Sequence, residues 1–508
     1  MKIAGLDIGT TGCKCTVFDE RGNYLGKAYR DYPVQRTVGR HEMDISAVME
    51  GVYAVIREMA SQYPDIAGLG VTSFGETFVM TDGEGRPLHP AMLYTDPRGA
   101  EECRRLAEQL GEKHMAHITG LRPHEMYSIS KLMWLKEHEP EMYRAAQHVF
   151  LMEDYVVFHL TGKRQIDYSL ATRTMAFDIH KLDWSDEVFA AAGIEKSLFS
   201  TCVPTGSTAG TILPSAAEKT GLSRETRIVS ISHDQVAAAV GAGAFDGAVA
   251  VDGAGTVECL TPIYDELPDI DRMYEGYFSV VPYVKPGTYV AYAFSYTGGA
   301  LIQWCVDTFA KKERELAAEA GISVHEWMER KYREEHGQQE MVAELSDGPG
   351  GLLVLPHFAG AATPYMDTGA KGAILGLTTA TTAADLYRGC MEGVAYEMYL
   401  NYQALQGSGI HFERLYATGG GARSGVWMQM KADVLNLPIT ALKTVDAGTV
   451  GSAMLTGVAI GVFRDLAEAA EYMVQKTVTY EPRRKVHEAY REVFARYEKV
   501  YRVVRPLM

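Results

Sequence analysis

Short apolar runs alternate along this chain with polar, glycine-rich turns and with longer segments of helical spacing. The clearest case begins at residues 228–231, a β-branched run typical of a buried strand. Polar residues 232–235 (Ser-His-Asp-Gln) follow at its carboxyl end, where open α/β sheets bind their ligands. An Ala/Gly-rich segment, 236–245, favours a tightly packed helix, and a second strand over 248–251 leads into a Gly-Thr turn. This order suggests a carboxylate base beside a phosphate-binding turn.

Periodicity predicts the main elements of the rest of the chain. Helical spacing or composition predicts helices over 45–61, 100–110, 126–136, 141–160, 379–405, 426–435 and 466–504. We expect a loop over the Pro/Gly/Thr-rich residues 201–214 and a charged, helical surface over 311–346. The apolar run 450–463 contains three glycines and is too short to span a bilayer, so it predicts a buried helix.

Two hairpins with the same pattern lie about half the chain apart. Residues 4–10 read Ala-Gly-Leu-Asp-Ile-Gly-Thr, and residues 250–256 read Ala-Val-Asp-Gly-Ala-Gly-Thr. Each is a strand, an acid, a glycine turn and a threonine, and each precedes an apolar strand. A repeat at half length predicts two related domains that face each other, with a nucleotide held between one phosphate hairpin from each.

The first hairpin contains groups that could hold a phosphate. Its turn is not a Walker loop, because the order of strand, glycine-rich loop, Lys-Ser/Thr and helix is missing. The backbone up to Gly12, the hydroxyls of Thr10 and Thr11, and the nearby Lys14 can still surround a phosphate. Asp7, at the strand end, could hold a metal-bound water. A single turn of this kind is usually structural, and it is the second hairpin that favours phosphate binding.

Polar side chains at strand and loop ends suit a hydroxyl-rich ligand. Glu76 follows a strand over 68–71, and Asp96 and Arg98 precede a helix. The alternative interpretation is that they are turn residues and a surface ion pair, and the sequence leaves both open.

Two further glycine clusters lie next to predicted helices. Gly298 and Gly299 stand at a helix start, which favours an anion, although a simple helix cap explains them too. Residues 419–421 are three glycines between a strand and a helix, and they allow close approach of a flat or charged ligand.

Composition and charge narrow the class of protein. The 508 residues exceed what one hydrophobic core normally organises, which again indicates two large domains. A net charge of −16 argues against a general nucleic-acid binder, so we expect no nucleic-acid partner. The amino terminus does not read as a signal peptide, and the seven cysteines are scattered. We therefore expect a cytoplasmic protein with reduced thiols and no membrane partner.

Taken together, these motifs resemble the FGGY carbohydrate kinases of the actin-like ATPase superfamily. The matching segments run in the family's order through nearly the whole chain: 5–11 (Gly-Leu-Asp-Ile-Gly-Thr-Thr), 233–235 (His-Asp-Gln), 255–256 (Gly-Thr), 297–300 (Thr-Gly-Gly-Ala), 363–364 (Thr-Pro), and 419–424 (Gly-Gly-Gly-Ala-Arg-Ser) with Trp427 and 432–435 (Ala-Asp-Val-Leu). The resemblance implies an α/β fold of two actin-like (ribonuclease H-like) domains around a central nucleotide and sugar cleft. We place the sugar-binding domain at 1–245 and the adenine-binding domain at 246–508.

The resemblance also implies an enzyme that uses ATP and Mg²⁺ and acts on a small-molecule sugar, with a homodimer as one assembly to consider. It makes Asp234 the catalytic base and Asp7 the acid near the metal. It assigns the remaining contacts by position: phosphate to Thr10, Thr11, Gly12, Lys14, Gly255 and Thr256; nucleotide to Gly299, Gln303, Gly421 and Gly425; sugar to Glu76, Asp96, Arg98 and Asp234.

Departures from the family pattern leave the sugar open. Glu76 falls where glycerol kinases have a substrate-binding acid, whereas xylulose kinases carry a Met-His pair in that region. Ala361 and Ala362 replace the Glu-Arg often found before Thr-Pro, and Tyr94 stands where a tryptophan is common. The leading hypothesis is a xylulokinase-like enzyme that phosphorylates a ketopentose such as xylulose. The alternatives are a kinase for fuculose, ribulose, gluconate, glycerol or erythritol, an actin-like ATP-binding switch protein, or a relative that senses sugar without catalysis.

Overall fold

Two mixed β-sheets, one in each half of the chain, form the framework of the protein. The structure is a computed structural model and describes residues 1–335, 348–443 and 446–508. The strands of the first half are β1 (Lys2–Ile8), β2 (Gly12–Asp19), β3 (Tyr24–Asp31), β4 (Val34–Thr37), β5 (Arg40–Met43), β6 (Ile66–Ser73), β7 (Phe78–Thr81), β8 (Ala91–Met92), β9 (His148–Leu151), β10 (Gln165–Asp167), β11 (Phe177–Asp178), β12 (Asp183–Trp184), β13 (Thr201–Val203), β14 (Ser207–Thr211) and β15 (Arg227–His233). Those of the second half are β16 (Val249–Ala254), β17 (Glu258–Tyr264), β18 (Val281–Pro282), β19 (Tyr289–Val290), β20 (Ala293–Ser295), β21 (Leu353–Leu355), β22 (Ala373–Leu375), β23 (Arg414–Thr418), β24 (Ile439–Leu442) and β25 (Lys476–Tyr480).

Helices cover both sheets. Those of the first half are α1 (Ile45–Gln62), α2 (Ala100–Leu110), α3 (Glu112–Thr119), α4 (Ser128–His138), α5 (Pro140–Ala145), α6 (Met152–Thr161), α7 (Tyr168–Thr172), α8 (Asp186–Ala192), α9 (Pro214–Thr220) and α10 (Asp234–Gly241). Those of the second half are α11 (Ile270–Glu275), α12 (Gly299–Phe309), α13 (Lys311–Glu319), α14 (Val324–Glu335), α15 (Ala383–Gly407), α16 (Gly425–Leu435), α17 (Ala447–Ala459), α18 (Leu466–Met473) and α19 (Arg484–Val504). Within the described ranges, no helix is both long enough and apolar enough to cross a membrane.

The two sheets repeat one topology around their glycine-threonine hairpins. The first has the strand order β14-β15-β6-β1-β2-β3, with β1 antiparallel to β2 and parallel to β6. The second has the order β18-β19-β17-β16-β23-β24-β25, with β20 also on β17, and β16 is antiparallel to β17 and parallel to β23. The half-length repeat in the sequence therefore corresponds to a repeated sheet, and the predicted α/β fold with two related domains is confirmed. The boundary at 245/246 stays a prediction.

Glycines bring α10 and α17 into direct contact and so join the two halves. A β-carbon at Gly241 would lie 1.9 Å from the carbonyl oxygen of Ala447, and one at Gly451 would lie 1.8 Å from that of Ala237. The helix α17 also packs on β1 and β6 of the first sheet, where the Ser452 hydroxyl donates to the Gly70 carbonyl at 3.0 Å. The predicted buried helix over 450–463 is thus confirmed, and it links the halves.

The predicted single helix over 141–160 is wrong. The structure has α5, then β9, then α6 over this stretch. The residues of β9 form a buried antiparallel pair with β7, in which Val79 faces Phe150 and Met80 faces Val149. Strand pairing and burial on both sides override the helical spacing of the sequence here.

Three other expectations need correction or qualification. Residues 201–214 are not all loop, because β13 and β14 form there and β14 pairs with β15 at the sheet edge. Residues 466–504 are not one helix, because β25 pairs with β24 between α18 and α19. The charged stretch 311–346 forms α13 and α14 as far as Glu335, and its remainder lies outside the described residues.

Candidate active site

The first hairpin presents an open turn next to buried strands. The Gly9 N–H donates to the Gly12 carbonyl at 2.9 Å, which closes the turn between β1 and β2. Thr11 is exposed and Thr10 half-buried, whereas Gly12 is buried in the sheet. The two predicted hydroxyls therefore remain accessible to a phosphate.

Lys14 links this hairpin to the second half of the chain. Its Nζ lies 3.1 Å from Asp7 Oδ2 and 2.7 Å from Asp446 Oδ1, just before α17. Burial raises the pKa of Asp7 and Lys14 works against this increase. Although burial opposes it, the carboxylates of Asp7 and Asp446 raise the pKa of Lys14, which is fully charged at neutral pH. The hairpin thus carries a fixed positive charge beside a half-buried acid.

The second hairpin is bound to the start of α12. The N–H of Gly299 donates to the Gly255 carbonyl at 2.8 Å, and the N–H of Ala300 donates to the Thr256 carbonyl at 3.1 Å. These N–H groups at the start of α12 are therefore already hydrogen-bonded within the protein. A nucleotide contact at Gly299 has to be made through atoms other than its N–H. Thr256 is exposed, and Gln303 on α12 is also exposed, with its amide 2.9 Å from Asp307 Oδ1.

The glycine-rich loop after β23 lies against this second hairpin. Gly419 has φ +86°, and a β-carbon there would lie 2.6 Å from the Ala254 carbonyl oxygen. A β-carbon at Gly421 would lie 2.6 Å from the Trp427 ring. Gly425 begins α16 beside the Tyr480 hydroxyl. Only glycine allows the loop, the hairpin and the helix to pack this closely, and the surface that they form together suits a flat ligand.

Beneath the second hairpin lies a buried charge cluster that the sequence did not reveal. Lys431, on α16, contacts both Asp252 on β16 and Glu258 on β17, and all three side chains are buried. The Lys431 ammonium also lies 4.2 Å from the centre of the Trp427 ring. By the repeat, Asp252 is the counterpart of Asp7, yet it is sealed in the interior instead of facing the cleft.

Asp234 is the residue predicted to act as a base. It is the first residue of α10, directly after β15, and 30% of its side chain is exposed. Burial, followed by the carboxylates of Asp7 and Glu76, raises the pKa of Asp234 to about 7, against the Gln235 N–H and Arg173. Burial raises the pKa of Cys259, on the second hairpin, and after Glu258 and Asp252 the charge of Asp234 raises it further. Asp234 thus lies within electrostatic reach of both hairpins.

Glu76 lies near Asp234 and is paired with Arg173. Both guanidinium contacts of Arg173 go to Glu76 Oε1, the Nε atom at 2.6 Å, and both side chains are buried. The guanidinium lies 5.1 Å from the Tyr127 ring and 5.9 Å from the Tyr292 ring. Glu76 has φ +64°, a left-handed conformation that non-glycine residues seldom adopt outside functional sites.

Asp96 and Arg98 form a closed pair. Arg98 donates from Nε to Asp96 Oδ1 at 2.8 Å and from NH2 to Asp96 Oδ2 at 2.7 Å, and it also contacts Glu42. The buried Lys131 donates to the Asp96 carbonyl at 2.8 Å. The pair therefore shapes the loop, and its direct contact with a sugar stays a prediction.

Sequence reasoning missed Arg173, Lys431, Asp446 and Tyr292. Each acts through a partner more than 50 residues away, so no local motif marks it. The unusual feature that could have drawn attention was Lys431, a lysine in a mostly apolar helix.

The acids of the cleft fit a magnesium ion. Among the residues described, no group of three or more His, Cys, Asp or Glu side chains is placed to hold a metal by itself. Mg²⁺ does not need such a group, because it is usually held by one or two carboxylates, substrate phosphates and waters. Burial, and after it the charge of Asp7, raises the pKa of Asp234, so a divalent cation near Asp7 would favour the ionised form of both acids.

Comparison with known proteins gives matches along nearly the whole chain. The model of the N-terminal domain of the FGGY family of carbohydrate kinases matches residues 2–241, and that of the C-terminal domain matches 255–460. A xylulose kinase of Bacillus subtilis (strain 168) is 25% identical over 504 residues, covering 98% of this chain and 96% of that one. A glycerol kinase of Halorhodospira halophila (strain DSM 244 / SL1) is 30% identical over 483 residues, covering 92% and 90%.

The solved structure of a xylulose kinase from Rhodospirillum rubrum superposes with a TM-score of 0.87 at 24% identity. It covers 100% of this chain and 99% of that one. This likeness extends over both sheets, and it confirms that the fold is the one expected from the sequence motifs.

Proposed function

The chain belongs to the FGGY family of carbohydrate kinases, and we propose that it transfers the γ-phosphate of ATP to a hydroxyl of a ketopentose such as xylulose. Enzymes of this family are phosphotransferases with an alcohol acceptor. The full-length similarity to xylulose kinases supports the choice of sugar.

The position of Asp234 is the observation on which the proposal depends. Its carboxylate is partly exposed, stands at a helix start, and lies within electrostatic reach of both glycine-threonine hairpins. A general base for a hydroxyl has to stand beside the phosphate that the hydroxyl attacks. An ATP switch protein has no need of a base there.

In the reaction, Asp234 accepts the proton of the attacking sugar hydroxyl. The new bond forms between that oxygen and the γ-phosphorus, and the bond from the γ-phosphorus to the bridging oxygen of ADP breaks. Little covalent chemistry falls to the protein in phosphoryl transfer, so positioning and charge neutralisation dominate. Thr10 and Thr11 on one hairpin and Thr256 on the other are the groups we assign to the phosphates, together with the backbone at Gly12 and Gly255.

The charges around the phosphates come from both halves. We assign Lys14 to the phosphates and Asp7 to a magnesium ion, held through water. A magnesium ion bound there would supply neutralisation of charge on the transferred group. We assign the contacts with the nucleotide to the accessible backbone of Gly299, Gly421 and Gly425 and to the exposed side chain of Gln303.

The sugar is assigned to the Glu76 side of the cleft. Glu76 can accept hydrogen bonds from sugar hydroxyls while Arg173 holds it in place. Asp96 and Arg98 set the loop beside it, and Asp234 completes the polar wall.

A coupled ADP-release assay over pentuloses, hexuloses, polyols and aldonates tests the proposal. We expect ADP release from ATP to rise strongly with xylulose and weakly without sugar. Strong sugar-independent ATP hydrolysis would instead support the switch protein.

The variant Asp234→Asn tests the base. It should lose turnover by at least about 10²-fold, the lower end of what a positioned base contributes, while ATP binding is kept. Asp186→Asn is the matched control, because Asp186 is exposed and, in the described part of the chain, forms an ion pair with Lys196 on the surface. Near-normal turnover in Asp234→Asn would remove this residue from the role of base.

A polyol such as glycerol is the second candidate substrate. Two observations favour it: the buried Glu76–Arg173 pair beside Asp234, and the 30% identity with a glycerol kinase. A higher kcat/KM for glycerol than for any ketopentose in the same assay would establish it instead.

A further inference from the structure

A tyrosine from the second half of the chain reaches the base in the first half through a histidine. The Tyr292 hydroxyl lies 3.3 Å from His233 Nδ1, and His233 Nε2 lies 3.2 Å from Asp234 Oδ1. Tyr292 lies between β19 and β20, on the sheet that carries the second hairpin. His233 ends β15 and belongs to the first sheet. The three side chains therefore connect the two halves at the predicted catalytic centre.

The histidine is held firmly in this place. Its backbone N–H donates to the Ser169 hydroxyl at 3.0 Å, and its ring lies against Gly75, where a β-carbon would be 3.2 Å from Cδ2. His233 and Tyr292 are 7% and 8% exposed. Burial, followed by the charge of Arg173, keeps the pKa of His233 well below its usual value, so the ring is neutral.

A neutral imidazole has one N–H donor and one acceptor nitrogen, and the Tyr292 hydroxyl can pair with Nδ1 in either tautomer. When Asp234 is ionised, its oxygen needs a donor, so the proton belongs on Nε2 and the Tyr292 hydroxyl donates to Nδ1. When Asp234 is protonated, it donates to Nε2, the ring proton moves to Nδ1, and the hydroxyl accepts. A hydroxyl can satisfy both states, whereas an apolar ring satisfies neither.

We propose that Tyr292 is a positioning residue for the catalytic base: its hydroxyl holds the His233 ring in contact with Asp234, whichever ring nitrogen carries the proton. The inference rests on the proposed kinase function and adds a residue that reaches the base from the nucleotide-binding half. Because the contact spans the halves, the base is oriented fully only when the two sheets have the relative position seen here. The other charged or titratable groups near Asp234 are Asp7, Glu76, Arg173 and Tyr94, and Tyr292 is the one that contacts His233 Nδ1 in the described structure.

Steady-state kinetics of Tyr292→Phe, with Tyr289→Phe as the matched control, test the proposal. Tyr289 lies three residues away on β19, where its ring stacks on Tyr264, and the exchange removes the same hydroxyl. We expect kcat to fall on the order of ten-fold in Tyr292→Phe, part of what a positioned base supplies, with the KM for ATP unchanged. Tyr289→Phe should keep wild-type kcat. Wild-type kcat in Tyr292→Phe would overturn the proposal.

A double-mutant cycle tests whether the hydroxyl acts through the histidine. In a His233→Ala background, adding Tyr292→Phe should cause no further loss of kcat. A second, full ten-fold loss would show that Tyr292 acts on another group and would overturn the proposal.

The ¹⁵N NMR spectrum of histidine-labelled protein gives a reading that needs no substrate. The His233 signals, assigned by their loss in His233→Gln, should include an Nδ1 resonance that reports the contact with the Tyr292 hydroxyl and that shifts in Tyr292→Phe. An unchanged Nδ1 resonance in Tyr292→Phe would overturn the proposal even if the enzyme phosphorylates sugars. The expected shift of Nδ1 without any sugar phosphorylation would instead leave the contact intact and count against the kinase function.

Discussion

Lys431 Nζ lies 2.8 Å from Asp252 Oδ2, and neither side chain is exposed to solvent. The same ammonium contacts Glu258, so one lysine joins both strands of the second hairpin. Asp252 Oδ1 and Glu258 Oε2 have no hydrogen-bond partner in the described protein, so the lysine is the main compensation for two buried acids. A buried ion pair of this kind is costly to break, because removing one partner leaves the other charge uncompensated.

Lys431→Met should therefore lower the free energy of unfolding by about 3–5 kcal/mol. The effect should be larger at high pH, because burial already raises the pKa of Glu258 well above its usual value and the loss of Lys431 makes its ionisation costlier still. Urea unfolding monitored at two pH values measures it. Lys196→Met, which breaks the exposed pair with Asp186, should cost less than about 1 kcal/mol. Equal losses in the two variants would show that the buried cluster contributes no more than a surface pair.

Arg173→Met should weaken binding of the sugar and leave ATP binding unchanged. The exchange leaves Glu76 buried without its charged partner, and a charge-assisted hydrogen bond contributes about 1.5–3 kcal/mol. We expect the KM for the sugar to rise about 10- to 100-fold, as measured by initial rates at saturating ATP. Arg86→Met, which removes an exposed arginine, is the control and should keep the wild-type KM. An equal rise in the KM for ATP would place Arg173 outside the sugar site.

The rate should depend on the ionisation of Asp234. Burial and the charges of Asp7 and Glu76 raise the pKa of this acid to about 7, and a base has to be ionised to accept a proton. We expect kcat/KM for the sugar to fall about ten-fold per pH unit below pH 7 and to level off above it. A profile flat from pH 5 to 8 would contradict the assignment.

The raised pKa of Asp234 also predicts how the stability of the folded protein changes with pH. Because the pKa is higher in the folded protein than the usual 3.8, the folded state loses stability from Asp234 as the pH rises from about 4 to about 7. Asp234→Asn removes this loss, so its melting temperature relative to the wild type should be higher at pH 8 than at pH 4. Thermal unfolding at the two pH values measures the difference.

Gly241→Ala should disrupt the contact between α10 and α17, which joins the two halves of the chain. The new methyl group would meet the Ala447 carbonyl oxygen at 1.9 Å, so α10 and α17 would have to separate. Overpacking of this kind costs about 1–3 kcal/mol, and we expect a loss of kcat as well. Gly51→Ala is the control: Gly51 is also within a helix, but its nearest neighbour would lie 3.4 Å away. That exchange should be neutral or stabilise by about 0.5–1 kcal/mol in thermal and urea unfolding. Similar losses in both variants would contradict the close contact at Gly241.

Much of the fold follows from local patterns. The helices over 45–61 and 100–110 were predicted within one residue of α1 and α2, because their apolar spacing and their burial agree. The failures at 141–160 and 466–504 have a common cause. In each, a strand takes its place from a partner distant in the sequence, β7 or β24, and no local pattern contains that partner.

The residues of the candidate site also divide into those with a local sequence signal and those that depend on a distant partner. The hairpin residues and Asp234 could be named because their chemistry lies within short motifs. For Asp96 and Arg98 the sequence left open whether they bind a ligand or form an ion pair, and the structure pairs them with each other. The partners Arg173, Asp446, Lys431 and Tyr292 depend on distances between elements.

The sequence by itself determined the class of fold, the half-length repeat and the short motifs of a sugar kinase, because each depends on short patterns of neighbouring residues along the chain. Only the tertiary structure decided which of two equivalent acids faces the cleft. Asp7 lies near the carboxyl end of the inner strand β1, partly exposed beside Lys14, whereas the Asp252 side chain is buried and paired with Lys431 of α16. The two hairpins are alike along the chain, and their difference in role arises from what packs against them.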